Sequence, residues 1–163
     1  PGNYGIDFMK EHYDYDLDRA VKCSNHIGET LDFAVELGFK GVLLVGHIGK
    51  LIKLSGGIMN THSREADCRM ELMSAAALYA GADKDTLMSI MGSISTEEAY
   101  RYMSDAGIAK RSMERIMERI AFYMDNRVGG RIKTDCIVYA NQWGLLGKTS
   151  DAEGSVYGLF CRS

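Results

Sequence analysis

Gly41-Val42-Leu43-Leu44-Val45-Gly46 is an uninterrupted aliphatic run bracketed by glycines. With no polar residue alternating through it, the run has the pattern of a strand buried on both faces, and such strands belong to parallel sheets covered by helices. Upstream, Leu17, Ala20, Val21, Ile27, Leu31, Ala34, Val35 and Leu37 recur at helical spacing, and Gly38 stands where a left-handed cap is expected. The spacing predicts a helix over about 17–37. Downstream, Ala66, Met70, Met73, Ala77 and Ala80 form a second stripe closed by Gly81, which predicts a helix over 64–80. A short helix at 84–91 follows. Ser95 and Glu98 then stand at capping-box spacing ahead of a helix that ends at Gly107. Over 110–126, Met113, Ile116, Met117, Ile120 and Met124 make one face, while Arg111, Glu114, Arg115, Glu118 and Arg119 make the other, the usual mark of a solvated surface. Residues 132–140 read as a second strand, and 141–163 are less regular, with another strand expected at 156–161. The alternation predicts an α/β three-layer sandwich with a mostly parallel sheet flanked by helices, Rossmann-like but without the dinucleotide fingerprint.

A chain of 163 residues is room for one domain. Its 46% hydrophobic and 25% charged residues match ordinary globular usage and exclude disordered and collagen-like classes. No run approaches the roughly 18 apolar residues of a membrane-spanning helix, and the start Pro1-Gly2-Asn3-Tyr4 has no basic region leading into an apolar one. No membrane partner is expected. The first residue is not Met, so the chain is expected to be a fragment. A net charge of −3 argues against nucleic acid as partner. Cys23, Cys68, Cys136 and Cys161 lie far apart with no C-x-x-C pair, which favours a reducing, cytoplasmic setting over a disulfide framework. Acidic residues dominate 1–37, whereas in 46–69 Lys50, Lys53, Arg64 and Arg69 outnumber Glu65 and Asp67. That second segment suits an anion.

The stretch 46–69 also concentrates the chemistry. It holds His47 and His62, Asn60, Thr61 and Ser63, and it begins where the strand stops, the place where open α/β sheets bind ligands. Gly46 and Gly49 would let a ligand approach the backbone closely. A phosphate-binding P-loop is rejected, because Leu44 occupies its required glycine position and Leu51 follows Lys50. The G-x-G-x-x-G fingerprint is absent as well. Each residue has a plain structural reading: a strand-end cap for His47, a helix-start role for His62 and Asn60, solvated side chains for Lys50 and Lys53. Spacing predicts no metal site from His47, His62 and Cys68.

The run V-L-L-V-G-H-I-G-K-L-I-K-L-S-G-G-I-M-N-T-H-S-R-E-A-D at 42–67, with P-G-N-Y-G at 1–5 and S-N-H-I-G-E at 24–29, closely resembles the carboxy-terminal part of the cobalt-precorrin-5B methyltransferase family, CbiD. The resemblance covers about 1–147 and leaves 148–163 as a variable tail. It implies a fold completed by an amino-terminal domain, whose T-T-G motif is not found here. Cys68 stands where the family generally reads glycine.

The implied activity is methylation of carbon 1 of a corrin-ring precursor in anaerobic cobalamin biosynthesis, with S-adenosylmethionine as donor. Under that resemblance His47 and His62 are the candidate bases. Gly2, Asn3, Asn25, Gly46, Gly49, Asn60, Thr61 and Asp67 are candidates to hold the donor. Lys50, Lys53, Ser63, Arg64 and Arg69 are candidates for the carboxylates of a tetrapyrrole substrate. The expected partners are that substrate and the missing domain, and a homo-oligomer stays open. The competing reading is a non-catalytic α/β anion- or ligand-binding module.

Overall fold

The computed structural model describes residues 9–10 and 20–155. Helix α1 spans Ile27–Glu36, strand β1 spans Gly41–His47, and a single turn α2, Ile48–Leu51, runs into a 3-10 helix, Ile52–Gly56. Four helices follow: α3 (Arg69–Ala80), α4 (Lys84–Met91), α5 (Thr96–Asp105) and α6 (Ala109–Val128). Strands β2 (Lys133–Ala140) and β3 (Gly144–Lys148) complete a three-stranded sheet of order β1-β2-β3.

The sheet is mixed. β1 pairs in parallel with β2, from Gly41 opposite Lys133 to His47 opposite Tyr139, while β3 runs antiparallel to β2. The expected mostly parallel sheet is corrected here by β3, which falls in the stretch whose sequence pattern is less regular and runs antiparallel to β2. Residues 141–143 are too few for a crossover, so the chain must fold back as a hairpin. The double burial expected of β1 is present. Leu44 joins Cys136, Val138 and Ala140 in the main core with all the long helices, and Val45 joins Ile137 and Tyr139 in a second cluster with Met9 and Ala152. Among the described residues the long helices cover the first face, and the second carries only Met9 and Ala152 from short helical stretches at 9–10 and 152–155. Asp135, buried at the start of β2, accepts hydrogen bonds from Thr149 Oγ1 (2.7 Å) and Ser155 Oγ, which ties 149–155 to the sheet.

Helix ends follow local chemistry where it is strong. Gly38 is left-handed and its N–H donates to Val35 O while Phe39 N–H donates to Ala34 O, closing α1 as a Schellman motif. Asp83 and Ser95 cap α4 and α5 through Thr86 N–H and Glu98 N–H. Two helices start later than expected. α1 begins at Ile27 because 23–28 is pinned across the chain: His26 bridges Asn60, Thr61 N–H donates to Asn25 O, and Gly28 N–H donates to Met59 O. α3 begins at Arg69, because 62–67 is a turn held by Glu65 N–H to His62 O. Expected helix residues 17–19 and the expected strand at 156–161 lie outside the described residues.

One ion pair clamps the two ends of this core. Arg127 Nε and Nη2, on α6, donate to the two carboxylate oxygens of Asp32, on α1. Those hydrogen bonds hold the Asp32 carboxyl below the usual carboxylate range. A depressed folded value means that the pair stabilises above the unfolded carboxylate's pKa of about 3.9 and that this contribution is lost as pH falls through the folded value. Asp32→Asn is therefore expected to lower the urea midpoint at about pH 6 and to leave it equal to the parent chain's at about pH 2.5. Both side chains are about 40% exposed, so the effect is expected to stay below about 1 kcal/mol. Equal midpoints at both pH values would show that the pair contributes nothing.

Candidate functional site

β1 delivers His47 to the carboxyl edge of the parallel pair, in extended conformation, as the N-cap of α2. The turn into α2 is tight: a Cβ on Gly46 would lie 3.0 Å from Leu51 Cγ and Cδ1. The segment beyond is core, with Ile48, Leu51, Ile52 and Leu54 at most 1% exposed. His47 is thus fixed at the backbone by burial of its neighbours. Its Nδ1 accepts the Gly49 N–H at 3.1 Å, which places the proton of a neutral imidazole on Nε2.

Nε2 lies 2.9 Å from Glu97 Oε1. It is covered from solvent and its N–H is off the line of a formed hydrogen bond, so the contact is an electrostatic approach and not a closed one. Glu97 sits in the first turn of α5, where the helix N-terminus favours an anion, and Thr96 Oγ1 donates to its other oxygen at 3.1 Å. The Tyr139 ring meets His47 edge-on at 5.7 Å, and Trp143, on the β2–β3 turn, meets Tyr100 at 5.1 Å. Burial raises the phenol pKa of both tyrosines. Side chains of His47 and Glu97 are 28% and 27% exposed, so the carboxylate is reachable from solvent.

The loop 57–68 packs beside this edge. Lys53 is 2% exposed, and its ammonium donates to Thr61 O at 3.1 Å and to Ala66 O at 2.6 Å. A solvated Lys53 is thereby ruled out. Arg69 clasps Asp67 through Nε–Oδ1 (2.6 Å) and Nη2–Oδ2 (2.8 Å), which holds the Asp67 carboxyl below its usual range and raises the guanidinium's pKa, with Glu97 adding to the latter. Arg69 therefore shares the field of the His47–Glu97 pair.

A second group of the expected residues gathers at the start of α1. Thr61 Oγ1 donates to Asn25 Oδ1 at 3.1 Å, and Lys50 Nζ reaches Ser24 O at 3.2 Å. Asn60 Oδ1 accepts the His62 N–H, and His62 Nδ1 accepts the Arg64 N–H, which makes the exposed His62 a turn cap. Ser63 and Arg64 are exposed on the same turn. Gly2 and Asn3 lie outside the described residues. Two concavities of the described surface open elsewhere, one between α3 and α6 and one between α6 and β3, and neither is lined by either histidine. Sequence reading missed Glu97, Thr96 and Tyr139. The first two sit inside the segment Ser95–Glu98, whose spacing signals only a helix cap, and nothing local announces a partner 50 residues upstream.

A family model described as "CbiD, C-terminal domain" matches residues 60–150. The chain belongs to the CbiD family. Among curated CbiD relatives, each named cobalt-precorrin-5B C(1)-methyltransferase, that of Ruminiclostridium cellulolyticum is 41% identical over 141 residues, 86% of this chain and 37% of that protein. The relative from Treponema denticola is 40% identical over 151 residues, covering 90% and 40% of the two chains. The Methanocaldococcus jannaschii relative is 36% identical over 147 residues, again 90% and 40%. This CbiD chain spans about two fifths of the length of the curated relatives it matches. No solved structure matches it.

Proposed function

We propose that this chain supplies the C-terminal part of a cobalt-precorrin-5B C(1)-methyltransferase, acting with S-adenosylmethionine as methyl donor in the cytoplasm. The observation that carries the reading is the family match over 60–150 together with contiguous identity to enzymes of that name. Methyl transfer from a sulfonium to a ring carbon is an in-line displacement, so holding donor and acceptor in register supplies most of the catalysis. No covalent nucleophile is required.

Roles at this edge are proposed more narrowly than from the sequence. With Nδ1 engaged by Gly49 and Nε2 carrying the proton, a neutral His47 has no free lone pair. The group able to accept a proton that the ring sheds or shifts is the Glu97 carboxylate, with His47 beside it as positioned donor. Arg69 and Lys50 supply positive charge for carboxylates of the substrate. Asn25, Asn60 and Thr61, gathered at the start of α1, are proposed to contact the donor.

The test is a chimera in which this chain replaces the matching region of the Ruminiclostridium cellulolyticum enzyme, assayed with labelled S-adenosylmethionine and cobalt-precorrin-5B. Methyl incorporation by the chimera is the expected result. A folded chimera that incorporates none, beside an active parent enzyme, overturns the reading.

A further inference from the structure

Arg111, Arg115 and Arg119 recur four residues apart along α6, and Tyr123 continues the row. Like charges at that spacing repel one another, so a solvated face gives no reason for the row. The structure supplies one. The row faces α3 across a concavity of about 480 Å³. The Arg115 guanidinium lies over the Tyr79 ring at 4.6 Å, with Arg111 over the same ring at 5.7 Å. Arg119 lies over Tyr123 at 4.8 Å, donates to its hydroxyl at 2.7 Å and reaches Ser55 O at 3.4 Å. Arg115 and Arg119 are half-buried, whereas the glutamates of the same helix face are exposed. Glu118 pairs with Arg115 at 3.0 Å from the rim, and no acidic side chain lines the concavity itself. Its floor is Leu72, Ala76 and Ile116. Gly56 lies at its edge, where a Cβ would stand 2.8 Å from Leu72 Cδ2 and require that side chain to shift.

We propose that this groove binds carboxylate groups carried on a flat apolar body. The two guanidiniums are oriented in advance by stacking and by hydrogen bonds, and their planar forks match a carboxylate pairwise. The phenol rings and the aliphatic floor accept the body that carries it, whereas an inorganic anion would meet only the guanidiniums. Resting on the function proposed above, the ligand is the polycarboxylate tetrapyrrole, and Arg115 and Arg119 meet its peripheral acetate and propionate groups. The charged residues that the sequence singled out at 46–69 are then not the whole of the substrate contact.

The test titrates the 163-residue chain with uroporphyrin III, an octacarboxylate tetrapyrrole, and follows the porphyrin's absorbance and fluorescence. Arg115→Gln and Arg119→Gln are each expected to weaken binding about tenfold, the loss of roughly one charge-assisted contact, with circular dichroism confirming the fold. Lys84→Gln, the same charge change on α4, is expected to leave affinity unchanged. A cationic porphyrin is expected not to bind, and inorganic phosphate to compete only weakly. Bound uroporphyrin is also expected to shield Arg115 and Arg119 from phenylglyoxal, a measurement that needs no variant. Uroporphyrin bound equally by parent and variants, with neither arginine shielded, overturns the groove assignment while an active chimera keeps the methyltransferase reading intact. Tighter binding of a poly-glutamate peptide than of uroporphyrin overturns it in favour of an acidic protein partner.

Discussion

Lys53→Met is expected to destabilise the fold by about 2–4 kcal/mol, read as a lowered urea midpoint with an unchanged slope. The methionine preserves the buried stem of the side chain, so little packing is lost. What goes is the ammonium that satisfies Thr61 O and Ala66 O, and an unpaired buried carbonyl costs about 1–3 kcal/mol. Part of that is offset, because the variant no longer desolvates a charge on folding. Hydrogen exchange is expected to accelerate first in 60–68, the loop that Lys53 stitches to the 3-10 helix. Lys50→Met, three residues earlier, removes an exposed contact to Ser24 O and is expected to change stability by less than about 0.5 kcal/mol. Equal midpoints for the two variants would show that the buried ammonium does not hold the loop.

That contrast also marks how far the sequence could be read. β1, β2 and the main helices are legible because each rests on a local signal: an aliphatic run, a glycine at the helix end, a Ser or Asp at the start. What is not legible is decided by partners distant in the chain. The late start of α1 reflects pairing of 23–28 with 59–61, and no residue near Cys23 announces it. Lysines are almost never buried, so Lys50 and Lys53 look alike until the fold removes one from water. Strand direction is likewise absent from a strand's own residues. β3 is antiparallel because only 141–143 connect it to β2, and its two glycines hide it as a strand. At the site, His47 was legible from its place after β1. Glu97 was not, because its capping-box neighbours explain the segment without it. The arginine row on α6 was visible as spacing, but the Tyr79 and Tyr123 rings that give it meaning belong to the assembled helices.

In the chimera, Glu97→Gln is expected to lower turnover by about 10²-fold or more, the scale of a lost general base, with little change in substrate affinity. Glutamine fits the same space and can still accept from Thr96 Oγ1, so stability is expected to hold within about 0.5 kcal/mol. His47→Asn is the companion variant. Asparagine is a good N-cap and can keep an acceptor for the Gly49 N–H, so α2 stays capped while the donor facing Glu97 is lost. Under the proposed assignment of the proton to the carboxylate, His47→Asn is expected to cost less than Glu97→Gln. Reversal of that order would return the base to His47. Wild-type turnover in both variants would reduce the pair to a helix cap and its neighbour, and place the chemistry of the ring elsewhere on the protein.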